Sequence, residues 1–232
     1  MKRFVLITVI VVLIAFGAGR GWDWLRAHPQ HNPWAPLSLA DPPGLATGQK
    51  LSVLRSDTAL CIDVLDRGEI AFDRLPPSGE GACYRADRTV LTNWPIQPAT
   101  PEMTCATAAA LLLWQRHAVE PEAVRLLGSP FARFEHLGTY NCRRIGGSAT
   151  GRWSEHATGN AIDIAAIVLE DGQRVSVLDG WPQDGPEAEF LRSISQSACR
   201  YFSTVLGPDY NAAHADHFHL DQQDRAFGSA CR

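Results

Sequence analysis

An apolar run over residues 4–18 interrupts the mixed pattern of hydrophobic and polar positions, and two basic residues precede it. Its length approaches the roughly 20 residues that cross a bilayer, and Trp22 and Trp24 follow where aromatic residues anchor a membrane helix. A signal peptide has the same basic start and a shorter apolar core. No clear cleavage site follows, which favours an anchor over residues 1–25, and either kind of segment would export residues 26–232.

Residues 26–49 lack periodicity and are rich in proline, which predicts a linker between the membrane and a domain at residues 50–232. Within the domain, residues 50–98 contain short strand-like pieces, such as ALCIDVL at residues 59–65, among many turn residues. We expect this segment to be loosely structured.

Two later segments have the pattern of helices that pack on a core. The first has Thr100 as its N-cap and Pro101 at the first helical position, and it continues with alanine and leucine. The second starts near residue 186 and is predicted to end at Gly207 and Pro208. Its apolar residues fall on one helical face, namely Phe190, Leu191, Ile194, Ala198, Phe202 and Val205.

Strands are predicted between and after these helices. Residues 133–144 indicate a strand that runs into a loop, and residues 160–178 contain two apolar runs around Asp171-Gly172, which is a hairpin signal. The stretch DHFHLD, residues 216–221, is a final short strand. This order of elements predicts an α+β domain with a small antiparallel sheet that is flanked by helices and carries the site described below.

Charge and cysteine content restrict the class of protein. The net charge is −4, which argues against a nucleic-acid partner because such proteins present a basic face. Six cysteines fit an exported domain, since an even number favours disulfides over the alternative of buried free thiols. The sequence has no C-x-x-C pair, which argues against a zinc ribbon. Pairing in chain order predicts the disulfides Cys61–Cys83, Cys105–Cys142 and Cys199–Cys231.

A carboxylate within an apolar strand is the first indication of chemistry. In SEHATGNAIDI, residues 154–164, Asp163 lies between two isoleucines, and burial of its charge is costly without a partner or a cation. Downstream, alternation along an extended HADHFHLD, residues 214–221, places His217, His219 and Asp221 on one face. Imidazole nitrogen and carboxylate oxygen both suit zinc, so the two stretches together predict a zinc site.

The same two stretches carry a resemblance. SEHATGNAID resembles the S-x-H-x-x-G-x-A-x-D signature of the zinc D-Ala-D-Ala carboxypeptidase and peptidoglycan endopeptidase superfamily. The resemblance implies that His156 and Asp163 bind zinc, that His219 is the third ligand, and that Asp216 is the general base. Many members have glutamate as the base, so the shorter arm of Asp216 leaves the substrate class open.

More closely, the chain resembles the bacterial extensin-like C-terminal domain family over about residues 58–232. The shared features are YNCR, GRWSEHATGNAIDI, CRYFSTVLGP and HADHFHLD, together with the six cysteines. Nothing in the chain is similar to the proline-rich repeats of plant extensins.

The superfamily resemblance also implies roles around the zinc. Arg143 is similar to the upstream arginine that stabilises the oxyanion, although a surface role is an open alternative and Arg144 or Arg152 could replace it. His217 resembles the first histidine of the H-x-H arrangement in penicillin-insensitive murein endopeptidases, where it lies in the active site. Ser154 and Arg152 are predicted to contact substrate.

Three of these neighbouring residues have a second interpretation. Ser154 could only tie its loop by hydrogen bonding to the backbone. Asp221 either orients a histidine ligand by accepting a hydrogen bond from its ring or is an acid at a strand end. His214 could take the place of His217, but its position before the strand indicates exposure to solvent.

The predicted function is therefore a zinc-dependent peptidoglycan peptidase on the periplasmic side of the bacterial inner membrane, with Zn²⁺ as cofactor and stem peptides or cross-links as substrate. Which peptide bond is cleaved stays open, as does the oligomeric state. The alternative is a non-catalytic, zinc-containing domain that binds the cell envelope.

Overall fold

The computed structural model of the chain describes residues 1–225 and 228–232. Its helices are α1 Lys2–Ala27, α2 Thr47–Ser56, α3 Thr58–Arg67, α4 Cys105–Trp114, α5 Glu120–Leu127, α6 Val177–Gly180 and α7 Pro186–Ala198. Its strands are β1 Phe72–Arg74, β2 Thr89–Leu91, β3 Ile96–Gln97, β4 Glu102–Met103, β5 Phe131–Gly138, β6 Ala161–Leu169, β7 Arg174–Ser176, β8 Thr204–Leu206, β9 Phe218–Asp221 and β10 Ala230–Cys231. The predicted α+β class is confirmed.

The larger sheet has the order β10-β8-β9-β6-β5-β3, and β7 pairs with the second half of β6. The central pairs are antiparallel, whereas β10 and β3 lie parallel to their neighbours. A smaller antiparallel sheet is formed by β1, β2 and β4. The predicted hairpin is present as β6 and β7, and the predicted final strand is present as β9.

Helix α4 lies at the centre of the core, and each of its residues is buried. Its alanine-rich surface lets neighbouring elements approach closely, and Trp114 at its end stacks on Phe134 of β5 with ring centroids 5.4 Å apart. The Trp114 Nε1 group donates a hydrogen bond to the carbonyl oxygen of Ile194 in α7 at 2.9 Å. This arrangement joins the sheet and both core helices, and it leaves the opposite face of β6 and β9 available for a site.

The prediction of a strand at residues 59–65 was wrong, because this stretch belongs to α3. The Asp57 side chain caps that helix by accepting a hydrogen bond from the backbone N–H of Leu60 at 2.9 Å. Cys61, Val64 and Leu65 are buried at the spacing of one helical face. Short apolar runs of this kind do not distinguish helix from strand by periodicity alone.

The predicted start of the next helix was also wrong. Thr100 and Pro101 do not begin it, because residues Glu102–Met103 pair with β2 as strand β4. The helix begins at Cys105, and its N-cap is Thr104, whose side chain accepts a hydrogen bond from the N–H of Thr107 at 3.3 Å.

The second predicted helix, α7, ends at Ala198 and not at Gly207 and Pro208. A turn at residues 199–203 separates it from β8. Phe202 and Val205 are nevertheless buried, as the apolar pattern predicted.

Part of the segment expected to be a linker packs on the domain. Leu37 and Leu39 are buried in the hydrophobic core. The Lys50 ammonium donates hydrogen bonds to the carbonyl oxygens of Pro29 at 2.7 Å and Pro36 at 3.3 Å, which fixes the segment to α2. At the junction of α1 with this segment, the ring of Trp24 stacks on that of His28 with centroids 4.6 Å apart.

All six cysteines form disulfides, but two of the three predicted pairs were wrong. The pairs are Cys61–Cys105, Cys83–Cys142 and Cys199–Cys231, and the third is as predicted. Pairing in chain order failed because the 59–65 stretch is a helix whose buried face packs on α4, and this contact brings Cys61 to the first residue of that helix.

No residue of helix α1 is buried. Among the described residues it is the one helix that is long and apolar enough to cross a membrane. A signal sequence meets the same criteria, so the helix fits a membrane anchor or a signal peptide, and the three disulfides fit a location outside the cytoplasm.

Candidate metal centre

The site is built on two adjacent antiparallel strands. Asp163 of β6 is paired with His219 of β9 in the ladder. Since side chains alternate along a strand, the neighbouring apolar residues Ile162 and Phe218 point into the core, while Asp163 and His219 share the opposite face. The Oδ1 atom of Asp163 lies 3.0 Å from Nδ1 of His219.

His156 reaches the same point from a short 3₁₀ helix, Glu155–Thr158, that leads into β6. Ser154 caps this helix, because its side chain accepts a hydrogen bond from the backbone N–H of His156 at 3.3 Å. Gly159 ends it in the left-handed conformation, with φ +71°, which L side chains rarely adopt. The signature spacing of serine, histidine and glycine is thus explained by one helical turn that turns His156 towards Asp163.

The three donor atoms are close to the geometry of a tetrahedral zinc site. His156 Nε2 lies 3.2 Å from Asp163 Oδ1 and 3.1 Å from His219 Nδ1. Zinc bonds of about 2.0–2.1 Å in a tetrahedron place neighbouring ligand atoms about 3.3–3.4 Å apart. The observed distances of 3.0–3.2 Å match this within a few tenths of an ångström, so the three residues fit a zinc ion.

Both histidines have their outer nitrogen bound by the protein. His156 Nδ1 lies 3.1 Å from the carbonyl oxygen of Thr139, and His219 Nε2 lies 3.0 Å from Oδ2 of the buried Asp221. Each outer N–H can donate to its acceptor, which leaves the lone pair of the inner nitrogen free for a metal. Of the two alternatives for Asp221, the structure shows the carboxylate that orients a histidine.

Charge on the cluster is stabilised by its own members. Burial would raise the pKa of Asp163, but hydrogen bonds from His156 and His219 outweigh it and hold the pKa of this carboxyl well below its usual range. Burial would lower the pKa of His219, but Asp163 and Asp221 raise it to about 9. Without a metal, the cluster therefore holds a proton on His219 beside an ionised Asp163.

Asp216 and His217 form a pair at the edge of the cluster. Oδ1 of Asp216 accepts a hydrogen bond from Nδ1 of His217 at 2.7 Å, and the Asp216 side chain is otherwise 55 % exposed. On the other side of the ring, His217 Nε2 lies 3.6 Å from Asp163 Oδ1. The imidazole of His217 thus lies between the carboxylate of Asp216 and the His156–Asp163–His219 cluster.

His214 lies in the site, although its place before the strand had indicated exposure to solvent. Its ring centroid is 5.2 Å from that of His217 and 5.9 Å from that of His219, and Tyr210 covers it edge-on. Burial, followed by the charges of His217 and His219, lowers the pKa of His214 to about 4. The side chain is therefore neutral at physiological pH, and only the short 3₁₀ helix Ala212–His214 folds it inward.

A cavity of about 380 Å³ opens over the cluster. Arg143, Arg152 and Ser154 lie in its wall, so the structure brings the predicted catalytic and substrate-contacting residues together with the predicted ligands. Arg144 is different, because its guanidinium stacks on the ring of Trp153, 4.4 Å from the centroid. His117 and His136 lie away from the site and contact the backbone carbonyls of Leu39 and Ala99.

Two further residues, one that supports His156 and one that lines the cavity, were not predicted from the sequence. Thr139 holds His156 through its carbonyl oxygen, and its own hydroxyl donates to the carbonyl oxygen of Glu102 at 2.6 Å. Arg225 lines the cavity from the opposite end of the sheet. Neither has a local sequence signal, because both depend on the packing of distant segments.

The fold and the site together define an α+β domain with a buried His-Asp-His cluster at the floor of an open pocket. The sequence model of the family described as extensin-like protein C-terminus matches residues 59–232, and the chain belongs to that family. This confirms the predicted family. A search of curated proteins and a search of solved structures give no match.

Proposed function

We propose that the chain is a zinc-dependent peptidase that acts on peptidoglycan stem peptides or cross-links at the periplasmic face of the inner membrane. The observation that carries the proposal is the His156–Asp163–His219 cluster, with the Asp216–His217 pair beside it in an open pocket. The likeness of SEHATGNAID and DHFH to the zinc D-Ala-D-Ala peptidase superfamily supports the reaction class, and α1 with the disulfides supports the compartment.

Three protein ligands are typical of catalytic zinc, whereas structural zinc usually has four. His156, Asp163 and His219 would hold the ion, and the cavity lies on the remaining side. When bound, zinc acts as a Lewis acid that polarises a peptide carbonyl and lowers the pKa of water.

The Asp216–His217 pair is suited to move a proton at this position. Because Asp216 accepts the Nδ1 proton of His217, the Nε2 lone pair is directed to the side where Asp163 lies. His217 Nε2 would accept the proton of the attacking water and pass it to the leaving amine, while Asp216 stabilises the resulting imidazolium. This division of roles differs from the sequence-based prediction, in which Asp216 itself was the base.

Arg143 and Arg152 lie in the wall of the same cavity. A guanidinium donates two parallel hydrogen bonds, which suits an oxyanion or a carboxylate. We assign the developing oxyanion to Arg143 and a substrate carboxylate to Arg152. Ser154, whose side chain caps the helix of His156, acts on the site through that helix.

The test is digestion of purified peptidoglycan and of synthetic stem peptides by the full chain in detergent micelles with zinc. We expect release of peptide fragments, and a loss of about 10²–10⁴-fold in rate for His217→Gln at unchanged zinc content. Asp179→Asn, an exposed carboxylate at α6, is the matched control and should keep full activity. Absence of digestion by a zinc-loaded, folded chain would contradict the proposal.

One observation favours a second candidate, a non-catalytic zinc domain that binds the cell envelope. His217 Nε2 lies only 3.6 Å from Asp163 Oδ1, so a small ring movement would make His217 a fourth ligand. In that case zinc removal would unfold the domain and Asp216→Asn would leave binding unchanged. The peptidase proposal requires instead that Asp216→Asn reduces turnover.

A further inference from the structure

The walls of the metal pocket carry four arginines from two separate parts of the chain. They are Arg143 and Arg152 from the loop before the 3₁₀ helix of His156, and Arg225 and Arg232 from the C-terminal segment. This concentration of positive charge occurs in a chain whose net charge is −4.

Within residues 1–225 and 228–232, none of these four guanidinium groups lies within salt-bridge distance of a carboxylate. The acids of the same wall are already engaged. Both oxygens of Asp221 have partners, namely His219 Nε2 and the backbone N–H of Gln223, each within 3.0 Å. Glu155 accepts a hydrogen bond from Asn160 at 2.6 Å, and Asp163 belongs to the cluster. The arginines therefore remain available for a ligand.

Arg225 is fixed on the face of the sheet that carries the cluster. Its Nη2 group donates to Oγ1 of the buried Thr204 at 2.8 Å, and Nε donates to the same oxygen at 3.3 Å. Thr204 of β8 is paired with Asp221 of β9, so the two side chains share one face. The guanidinium is thus held at β8, which is the neighbour of the strand of His219.

Arg143 and Arg152 lie on the other side of the cluster. Their loop follows β5, which is the neighbour of β6, whereas β8 is the neighbour of β9. The loop is closed by hydrogen bonds from Ile145 N to Arg152 O at 3.0 Å and from Ser154 N to Arg143 O at 3.1 Å. The loop also lies beside His156, because the N–H of Asn141 donates to the carbonyl oxygen of His156 at 3.0 Å, so the two groups of arginines reach the pocket from different elements with the cluster between them.

We propose that this pocket recognises an acidic peptide through two carboxylates, one held by Arg152 and one by Arg225, on opposite sides of the metal cluster. A peptide that crosses the cluster in an extended conformation would present one carboxylate to each group of arginines. Arg232 adds positive charge to the Arg225 side. The proposal rests on the proposed function in one respect, because it takes the peptide bond between the two carboxylates to be the bond that lies at the cluster.

The probe is a fluorescent stem pentapeptide with two free carboxylates, one at its C-terminus and one on its glutamyl residue. Its binding to the full chain in detergent micelles is measured by fluorescence anisotropy in the His217→Ala background, which prevents turnover. Two matched peptides carry an amide in place of one carboxylate or the other, which removes a charge at nearly constant size. We expect each amide to weaken binding about tenfold, the usual effect of losing a charged hydrogen bond.

A second set of binding measurements, on arginine variants, assigns each carboxylate to its arginine. Arg225→Gln should weaken the diacid about tenfold and abolish the effect of one amide, and Arg152→Gln should abolish the effect of the other. Arg67→Gln, an exposed arginine on α3, is the control and should leave all three affinities unchanged. Equal binding of the diacid and its amides, no binding at all, or additive effects of Arg225→Gln with both amides would each overturn the proposal.

Hydrolysis of the same peptides by the His217-containing chain separates the two proposals. If the chain binds the diacid more tightly than the amides through Arg225 but hydrolyses none of them, the acidic-peptide site is retained and the peptidase is contradicted. Hydrolysis without discrimination between diacid and amide would retain the peptidase and contradict the acidic-peptide site.

Discussion

Asp163 and His219 are paired across the β6–β9 ladder, and the carboxylate oxygen of one lies 3.0 Å from the ring nitrogen of the other. This pairing explains how an acid can stand in an otherwise apolar strand. On the core face, burial drives the isoleucines inward, and on the other face the register places an imidazole directly opposite the carboxylate. A shift of the β6–β9 register by one residue would point Asp163 into the core, and the site would be lost.

Asp221→Asn should weaken zinc binding by about 10–100-fold, because the carboxylate fixes the ring of His219 and increases the basicity of its inner nitrogen. The dissociation constant is measured by competition with a chromophoric chelator. Asp224→Asn is a close control, since the side chain of Asp224 is 98 % exposed. Equal affinities for the two variants would show that Asp221 has no part in metal binding.

The affinity for zinc should fall as the pH falls. The pKa of His219 is raised to about 9 in the metal-free cluster, while Asp163 stays ionised because its pKa is lowered. Binding below pH 9 must then release the proton of His219, so the apparent dissociation constant should rise about tenfold per pH unit between pH 8 and pH 6. Calorimetry in buffers of different ionisation enthalpy measures the protons released, and a value near zero at pH 7 would contradict the protonated state of His219.

Thr139→Val removes the hydroxyl that donates to the carbonyl oxygen of Glu102 at 2.6 Å. The partly buried carbonyl of Glu102 would lose this partner, which costs at most about 1–3 kcal/mol, and the carbonyl of Thr139 that holds His156 would be less well fixed. We expect lower unfolding free energy together with weaker zinc binding. Thr150→Val, at an exposed position of the loop before the 3₁₀ helix of His156, serves as the control. A variant that loses stability but keeps full zinc affinity would limit Thr139 to a structural role.

The disulfide Cys199–Cys231 fixes β10 beside β8 and closes a loop of 32 residues. Removing the crosslink with the double variant Cys199→Ser/Cys231→Ser should lower the free energy of unfolding by about 3–4 kcal/mol, the loop-closure value for this length. Urea unfolding of the full chain measures the change. A loss of less than 1 kcal/mol would mean that the β8–β10 pairing persists in the unfolded ensemble or contributes little.

Much of the site could be predicted from the sequence because its chemistry is local. The one-turn helix of His156 and the alternation in DHFHLD both lie within stretches of fewer than a dozen residues, and each motif constrains its own backbone. His214 and Arg225 could not be placed in the same way. One depends on how a short 3₁₀ helix folds back on β9, and the other on a sheet neighbour that is distant in sequence.

The fold was predicted well where periodicity was long and poorly where it was short. The alanine-leucine run of α4 and the apolar face of α7 were recognised, although the ends of both helices were misplaced. The errors share a cause: at Glu102–Met103 and at residues 204–206, pairing with another strand overrides local helical preference. The wrong disulfide pairs followed from the misassigned α3, because connectivity depends on packing rather than on order.

The most direct test of the central claim is the zinc content of the purified full chain after dialysis against trace zinc. About one zinc per chain is expected for the wild type, and a loss of bound zinc is expected for Asp163→Asn and for His219→Ala. His136→Gln, a histidine outside the cluster that contacts the carbonyl of Ala99, should retain the metal. A folded wild-type chain without zinc, or Asp163→Asn and His219→Ala variants that retain it in full, would contradict the zinc centre and with it the peptidase.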